Sequence, residues 1–434
     1  MHCRTVAALS CAVGLVSLQA ADDVHWPEFR GPRGDGTSTS TSLPVQWSET
    51  NRVTWKTAVH GRGWSSPVIQ GKQVWLTTAT TDGHQLSAIC MDRDTGAILR
   101  DMVLFKVEQP QFVHEFNSHA SPTPALAEDR AFISFGASGT ACLDTTTGEV
   151  LWKRLDLECN HFRGAGSSPI LHEGRLYLNF DGSDHQFVVA LDQKTGRTLW
   201  RTERSIDFKD LTPEGKPEGD GDYRKAFATC HLISAEGGRQ LLSEGSKAIY
   251  AYEPDTGKEI WRVEERTTQA AGTRPAVGAG LVFIPTGWSV GQLLALRPGR
   301  SGEVIDANAD TGTTTHLNVV WKSRRGVPKK PSLTYSEGLL YAMDDNGVAT
   351  CWNATNGVVV WNERIGGNYS ASPLLADGHL YFFSEEGKAT VVATGTSFKK
   401  EAENQMADGF MASPAVSGKA LFLRTRTHLY RIEN

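Results

Sequence analysis

From about residue 50 onward, apolar and polar positions alternate at period two in short runs, such as Arg175-Leu176-Tyr177-Leu178-Asn179-Phe180 and His379-Leu380-Tyr381-Phe382-Phe383. The runs are rich in Val, Ile, Leu, Tyr and Phe and are bounded by Gly, Asp and Asn, so they predict half-buried strands joined by tight turns. No amphipathic helix longer than about two turns is predicted. A unit recurs along the chain. It opens on Ser-Pro ahead of an apolar strand and closes on a small residue, an apolar residue, Asp, two variable residues, Thr-Gly, three variable residues and Trp. Copies run through Asp144, Gly148 and Trp152, through Asp192, Gly196 and Trp200, and through Glu253, Gly257 and Trp261. Asn353, Gly357 and Trp361 form a variant copy, and a first copy through Asp92 and Gly96 carries Arg100 in the Trp place. Thr-Gly supplies a positive backbone torsion, and the Asp side chain can accept hydrogen bonds from the amides of the turn.

Unit starts at Ser66-Pro67, Ser121-Pro122, Ser168-Pro169, Cys230-His231, Arg274-Pro275, Pro331-Ser332, Ser372-Pro373 and Ser413-Pro414 give eight units spaced 41 to 62 residues apart. Four short strands per unit at that period are the pattern of a propeller blade. The last unit has room for only three strands, at 412–416, 420–424 and 428–432. Residues 51–59 are predicted to supply its outer strand and close the ring, which removes exposed edges. The reading is an all-β, eight-bladed β-propeller of four-stranded antiparallel blades spanning 47–434, after an extension at 21–46. Trp55, Trp152, Trp200, Trp261, Trp321 and Trp361 are assigned to outer strands, packed between neighbouring blades.

Ahead of the propeller, His2 and Arg4 precede an apolar or small stretch ending at Leu18-Gln19-Ala20, which reads as a signal peptide over 1–20 and predicts a periplasmic or secreted protein. Lipidation at Cys11 is disfavoured because Ala8-Leu9-Ser10-Cys11 is a poor lipobox. No run reaches the ~20 apolar residues of a membrane-spanning helix. With 44 basic against 49 acidic residues the formal charge is −5, which argues against a nucleic-acid partner. Cys90, Cys142 and Cys351 occupy a slot that holds Ala190 and Ala251 elsewhere, the mark of tight buried packing. Cys159 and Cys230 lie outside that slot, and whether they pair is left open.

These repeats resemble the PQQ-like repeats of eight-bladed propellers of the quinoprotein alcohol dehydrogenase superfamily. The openings Trp26-Pro27-Glu28-Phe29-Arg30-Gly31-Pro32-Arg33-Gly34-Asp35-Gly36 and Gly63-Trp64-Ser65-Ser66-Pro67 resemble a secreted subgroup labelled by analogy to the BamB outer-membrane assembly protein. The resemblance implies the fold. It also implies two possible roles: a binding scaffold, or a dehydrogenase holding PQQ with Ca²⁺ in the central channel. The chain has no adjacent cysteine pair, no Cys-x-x-Cys-His haem motif and no mappable calcium or catalytic carboxylate set. A non-catalytic monomer that recognises a protein segment or a small polar ligand is therefore expected, with no cofactor; the quinoprotein dehydrogenase is the alternative.

Candidate ligand residues lie where the chain crosses from one outer strand to the next inner strand, over a mouth of the channel. They are Arg62, Trp64, His114, Asn117, His119, His161, Arg163, His231, Arg274, Asn368 and Tyr369. Arg forks suit carboxylates and aromatic faces suit rings. No histidine spacing focuses a metal, and no catalytic residue is assigned. Gly287-Trp288-Ser289-Val290-Gly291 matches a nucleophile-elbow pattern, but it lies between two strand runs and reads as a hairpin turn. The acidic stretch 207–224 lacks the spacing of a calcium loop and reads as a solvated insertion.

Overall fold

In a closed ring of sheets every sheet has a neighbour on both faces, so its middle strands lose contact with water on both sides. The computed structural model describes residues 24–434 apart from 266, 268, 270–271, 289–290, 300–301 and 308–317. Eight sheets follow one another in chain order, each built on four antiparallel strands. Blade 3 shows the plan: Ile170–His172 lines the channel, Arg175–Asp181 and Gln186–Asp192 follow, and Thr198–Glu203 is outermost. All of Arg175–Asp181 but its first residue is buried, whereas only Trp200 is buried in Thr198–Glu203. The half-buried alternation read from sequence thus holds for outer strands, while inner positions are covered on both faces by adjacent blades. Val53–Ala58 pairs antiparallel with His428–Ile432, placing Trp55 opposite Arg431 and closing the ring as expected.

The recurrent turn and tryptophan make the seams between blades. The Asp192 carboxylate accepts the Thr195 N–H at 2.8 Å, and Gly196 takes φ 71°. The preceding blade's Trp152 donates its indole N–H to the Gln193 carbonyl at 3.0 Å. Trp55, Trp200, Trp321 and Trp361 repeat this on the carbonyls of Arg93, Pro254, Ala354 and Gly395. Glycine is required twice over, since a Cβ on Gly257 would stand 2.4 Å from the Trp200 ring. Arg100 substitutes for Trp by donating to the Thr146 carbonyl. Two seams depart: Trp261 turns to Gln240 of its own blade at 2.8 Å, and blade 7 carries Ala402, opposite Val391, in the Trp place.

Two segments add to this plan. Glu303–Asp306 lies parallel to the outer strand Glu259–Glu264 as a fifth strand of blade 4. The stretch before the first blade runs through the channel and pairs with the free inner edges of several blades. Trp26 exchanges two 2.8 Å backbone bonds with Ile69, and Pro27 accepts the Leu126 N–H at 2.7 Å. Thr37–Ser38 then lies parallel to Leu375–Ala376 of blade 7. Trp26, Leu43 and Trp47 are buried against the blade cores. Unpaired inner-edge N–H and C=O groups need partners, and the chain's own beginning supplies them. Among the described residues no helix is long and apolar enough to cross a membrane. The strands Leu281–Thr286 and Gln292–Leu296 flank the elbow-like pattern, of which Ser289 and Val290 lie outside the described residues.

Candidate functional site

The chain enters each inner strand two residues after one recurring ring position, occupied by Ser66, Thr123, Ser168, Thr229, Arg274, Ser332, Ser372 and Ser413. Three unit starts therefore shift by one or two residues from the sequence reading, to Thr123, Thr229 and Ser332, because Ser121-Pro122 is followed by Thr123-Pro124 in blade 2 and Ser-Pro is missing in blades 4 and 6. The position does the same work around the ring. Ser66 N–H donates to Thr123 Oγ1, Thr123 to Ser168 Oγ and Ser168 to Thr229 Oγ1, at 2.9 to 3.0 Å. Ser332 donates to Ser372, Ser372 to Ser413 and Ser413 back to Ser66, again at 2.9 to 3.0 Å. Arg274 has no short hydroxyl; its backbone N–H still reaches Ser332 Oγ, but its side chain turns to the N-terminal segment.

That guanidinium donates to the Phe29 carbonyl at 2.6 Å, to Glu28 at 2.8 Å and to His231 Nδ1 at 3.1 Å. Arg30 likewise binds the Leu333 carbonyl at 2.6 Å. The N-terminal segment is thereby fixed across the channel, and Phe29 becomes the floor of a cavity of 150 Å³ at the end where the chain crosses between blades. Its walls are the hydroxyl ring and the rings of Trp64, Phe116, Phe227 and Trp288, with Asn117, Lys330 and Met411. Phe116 stacks on Trp288 at 5.4 Å, and His114 stacks on Phe116 at 4.1 Å. The described lining holds no carboxylate, and no group of three His, Cys, Asp or Glu side chains converges as for a metal ion among the described residues.

Of the eleven candidates from sequence, the cavity wall takes Trp64 and Asn117. Arg62 lies over the Trp64 ring at 5.2 Å and donates to the Glu115 carbonyl; His114 backs Phe116. His119 is half-buried beside Gly83, its pKa lowered by burial and by Arg62. The remaining six point elsewhere. Arg163 forms a two-pronged ion pair with Asp222 at 3.0 and 2.8 Å. His161 is buried against Phe180, with burial lowering its pKa to about 4. His231 is held neutral by burial and by Arg274. Asn368 binds Glu386 at 2.8 Å, and Tyr369 is fully buried between blades, not on the rim. Arg274 serves the chain's own N-terminal segment. Crossing loops of different length carry equivalent sequence positions to different distances from the axis, which is why these six diverge.

The sequence reading missed Phe29, Phe116, Phe227, Trp288, Lys330 and Met411. Phe29 had a signal, the non-repeating motif from Trp26 to Gly36; a Cβ at Gly34 would collide with the Arg274 guanidinium, so that glycine is what lets the segment pass. The acidic insertion is likewise tied into the fold, with Asp222 held by Arg163 and Asp210 by Arg224 at 2.6 Å. Cys159 and Cys230 do not pair: all five described cysteines are free and buried. Burial pushes the Cys90, Cys142, Cys230 and Cys351 thiols up to about 12, which makes them inert.

Charge around the cavity is uneven. Lys330 is 2.8 Å from Glu385 and 3.9 Å from Asp345. Arg424, only 1% exposed, stands behind Trp64 and Ser66. Its Nη1 donates to the Ser65 carbonyl at 2.8 Å and Ser65 Oγ at 2.7 Å, while Nε and Nη2 have no partner. Burial lowers its pKa to about 9, which still leaves it a cation at neutral pH, and no described carboxylate acts on it.

The family model described as outer membrane protein assembly factor BamB matches residues 37–154, 87–212 and 184–434. Tetrathionate hydrolase of Acidithiobacillus ferrooxidans is 27% identical over 50% of this chain and 42% of its own length. BamB of Yersinia pestis is 23% identical over 47% of this chain and 49% of its own. The chain thus spans less than half the length of these relatives. Among solved structures, a europium-containing methanol dehydrogenase superposes with a TM-score of 0.67 at 14% identity, over 92% of this chain and 89% of the other, a likeness of fold.

Proposed function

The chain belongs to the PQQ-like repeat family described as outer membrane protein assembly factor BamB, and from that premise we propose that it is an exported, non-catalytic binding propeller. Its cavity at the crossing end takes one protruding group of a partner segment or one small ligand. The observation that carries this reading is the floor: the chain's own Phe29, anchored through Arg274, fills the axis and leaves 150 Å³ lined by rings and hydroxyls. Small-molecule sites of ~300–1,000 Å³ are the rule for larger ligands, so a fused-ring quinone is a poor match for this space. A calcium-held quinone also needs carboxylates at the cation, and the described lining offers none. These residues do not fit that cofactor.

The test is to equilibrate the full chain with PQQ and Ca²⁺, following bound-quinone absorbance and dye-linked alcohol oxidation. Neither stoichiometric uptake nor turnover is expected; finding both would overturn the reading in favour of a dehydrogenase. In parallel, small polar aromatic ligands should quench tryptophan fluorescence saturably, and Trp288→Ala should abolish the response.

A further inference from the structure

The hydrogen-bond ring at the cavity is only half used. In Ser66, Thr123, Ser168, Thr229, Ser372 and Ser413 the hydroxyl oxygen accepts the N–H of the neighbouring blade. Each hydroxyl keeps a proton to donate, which no hydrogen bond among the described residues takes up, and all six line the cavity. Trp64 also lines the cavity, and its indole N–H is buried without a partner. Donors therefore converge on a space whose described walls bring no carboxylate acceptor. A ligand rich in acceptors satisfies these protons, whereas one that presents only N–H groups leaves them unmet and is left with the remaining hydroxyl lone pairs.

Two further observations fix the class. Arg424 places an uncompensated positive charge behind this donor surface, bonded to Ser65 between Trp64 and Ser66, which favours an anion. The stacked Phe116 and Trp288 rings, joined by Phe227 at 6.4 Å from Trp288, favour a flat apolar body. A cavity of about 150 Å³ accommodates a body the size of benzene.

Resting on the binding reading above, we propose that the cavity binds a carboxylate carried on a small flat apolar body, its oxygens toward the Trp64 indole and the hydroxyl ring and its body against Phe116 and Trp288. Free acids and the carboxyl terminus of a peptide ending in an aromatic residue share this chemistry.

The experiment titrates the full chain with benzoate, phenylacetate, benzamide and benzylamine by calorimetry and tryptophan fluorescence. A carboxylate should bind at least about tenfold more tightly than benzamide, with no saturable binding of benzylamine. Trp64→Phe keeps the ring but removes the donor, and should shrink that ratio to about threefold or less. Arg424→Met should weaken the carboxylates and leave benzamide unchanged. Benzamide or benzylamine binding as tightly as the carboxylates would overturn the inference while leaving the cavity a binding site. No saturable binding by any of the four would overturn it together with the binding reading. A tripeptide ending in Phe, free or amidated, separates the sources. Free-acid peptide binding tighter than phenylacetate assigns the carboxylate to a chain terminus, and weaker binding assigns it to a free acid. Equal binding of acid and amide peptides would count against the proposal.

Discussion

The two ends of the channel meet the same need in opposite ways. Inner-edge backbone groups require partners at both ends. At the end where inner strands turn outward, the N-terminal segment supplies them in three blades by pairing with Ile69, Leu126 and Leu375–Ala376. At the crossing end a hydroxyl from the next blade supplies them, and six of these hydroxyls line the cavity with a proton still to donate. The first solution is structural and self-saturating. The second is structural and leaves chemistry to spare. Arg274, the one ring position without a hydroxyl, shows the exchange directly: the side chain that would have completed the collar instead secures the segment at the other end.

The largest expected effect follows from breaking that anchor. Arg274→Ala leaves Glu28, His231 and the Phe29 carbonyl without their partner in a largely buried setting, and should cost about 3–5 kcal/mol in chemical denaturation. Limited proteolysis should then cut between residues 24 and 47 first. If the crossing end unravels before the N-terminal segment does, the division of labour between the ends is wrong.

Acid should attack the crossing end selectively. His161 lies in the crossing from blade 2 to blade 3, and burial holds its pKa at about 4 against an ordinary 6.5. Because the folded value is depressed, the neutral ring's contribution is complete above pH 6.5 and is lost as pH falls through 4, where the unfolded chain binds a proton that the folded chain refuses. The predicted loss over that window is about 3 kcal/mol. His161→Gln should flatten the slope, as measured by denaturation at pH 4, 5, 6 and 7.

The smallest effects sharpen the contrast between satisfied and unsatisfied donors. Trp200→Phe removes an indole bond to the Pro254 carbonyl and should cost about 1 kcal/mol. Trp64→Phe removes an indole N–H that is buried and bonds nothing, so no hydrogen bond is lost and stability should not fall by the ~1 kcal/mol of the Trp200 variant. Equal losses in thermal and chemical denaturation would mean that Trp64 has a structural partner.

The fold was legible because one chemistry repeats. Asp, Asn or Glu, then Gly, then Trp or Arg at fixed spacing encode turn, close approach and seam, so five copies reinforce a single reading. Closure by residues 53–58 was legible from the missing strand of the last unit. Blade starts slipped where Ser-Pro is followed by Thr-Pro at 121–124 or is absent at Thr229 and Ser332, since seven of the eight ring positions are marked by a hydroxyl and not by a proline after it. The site was much less legible. Trp64 and Asn117 reach the cavity, but Phe29, Phe227 and Trp288 come from three unrelated stretches of chain, and their convergence leaves no local pattern. The passage of residues 26–38 through the channel is equally silent, because pairing with strands from several blades follows no single periodicity.

The ring closes through the bond from Ser413 to Ser66, across a separation of 347 residues. At ribosomal rates of about 5–20 residues per second, that separation amounts to roughly 20–70 s of synthesis. Throughout that interval the strand at 53–58 has no partner from blade 8, because the partner has not been made. Late closure makes this a slow-folding topology and exposes an unsatisfied edge for most of the chain's production, so its yield in the cell depends on how well that edge is shielded while the last blade is still being translated.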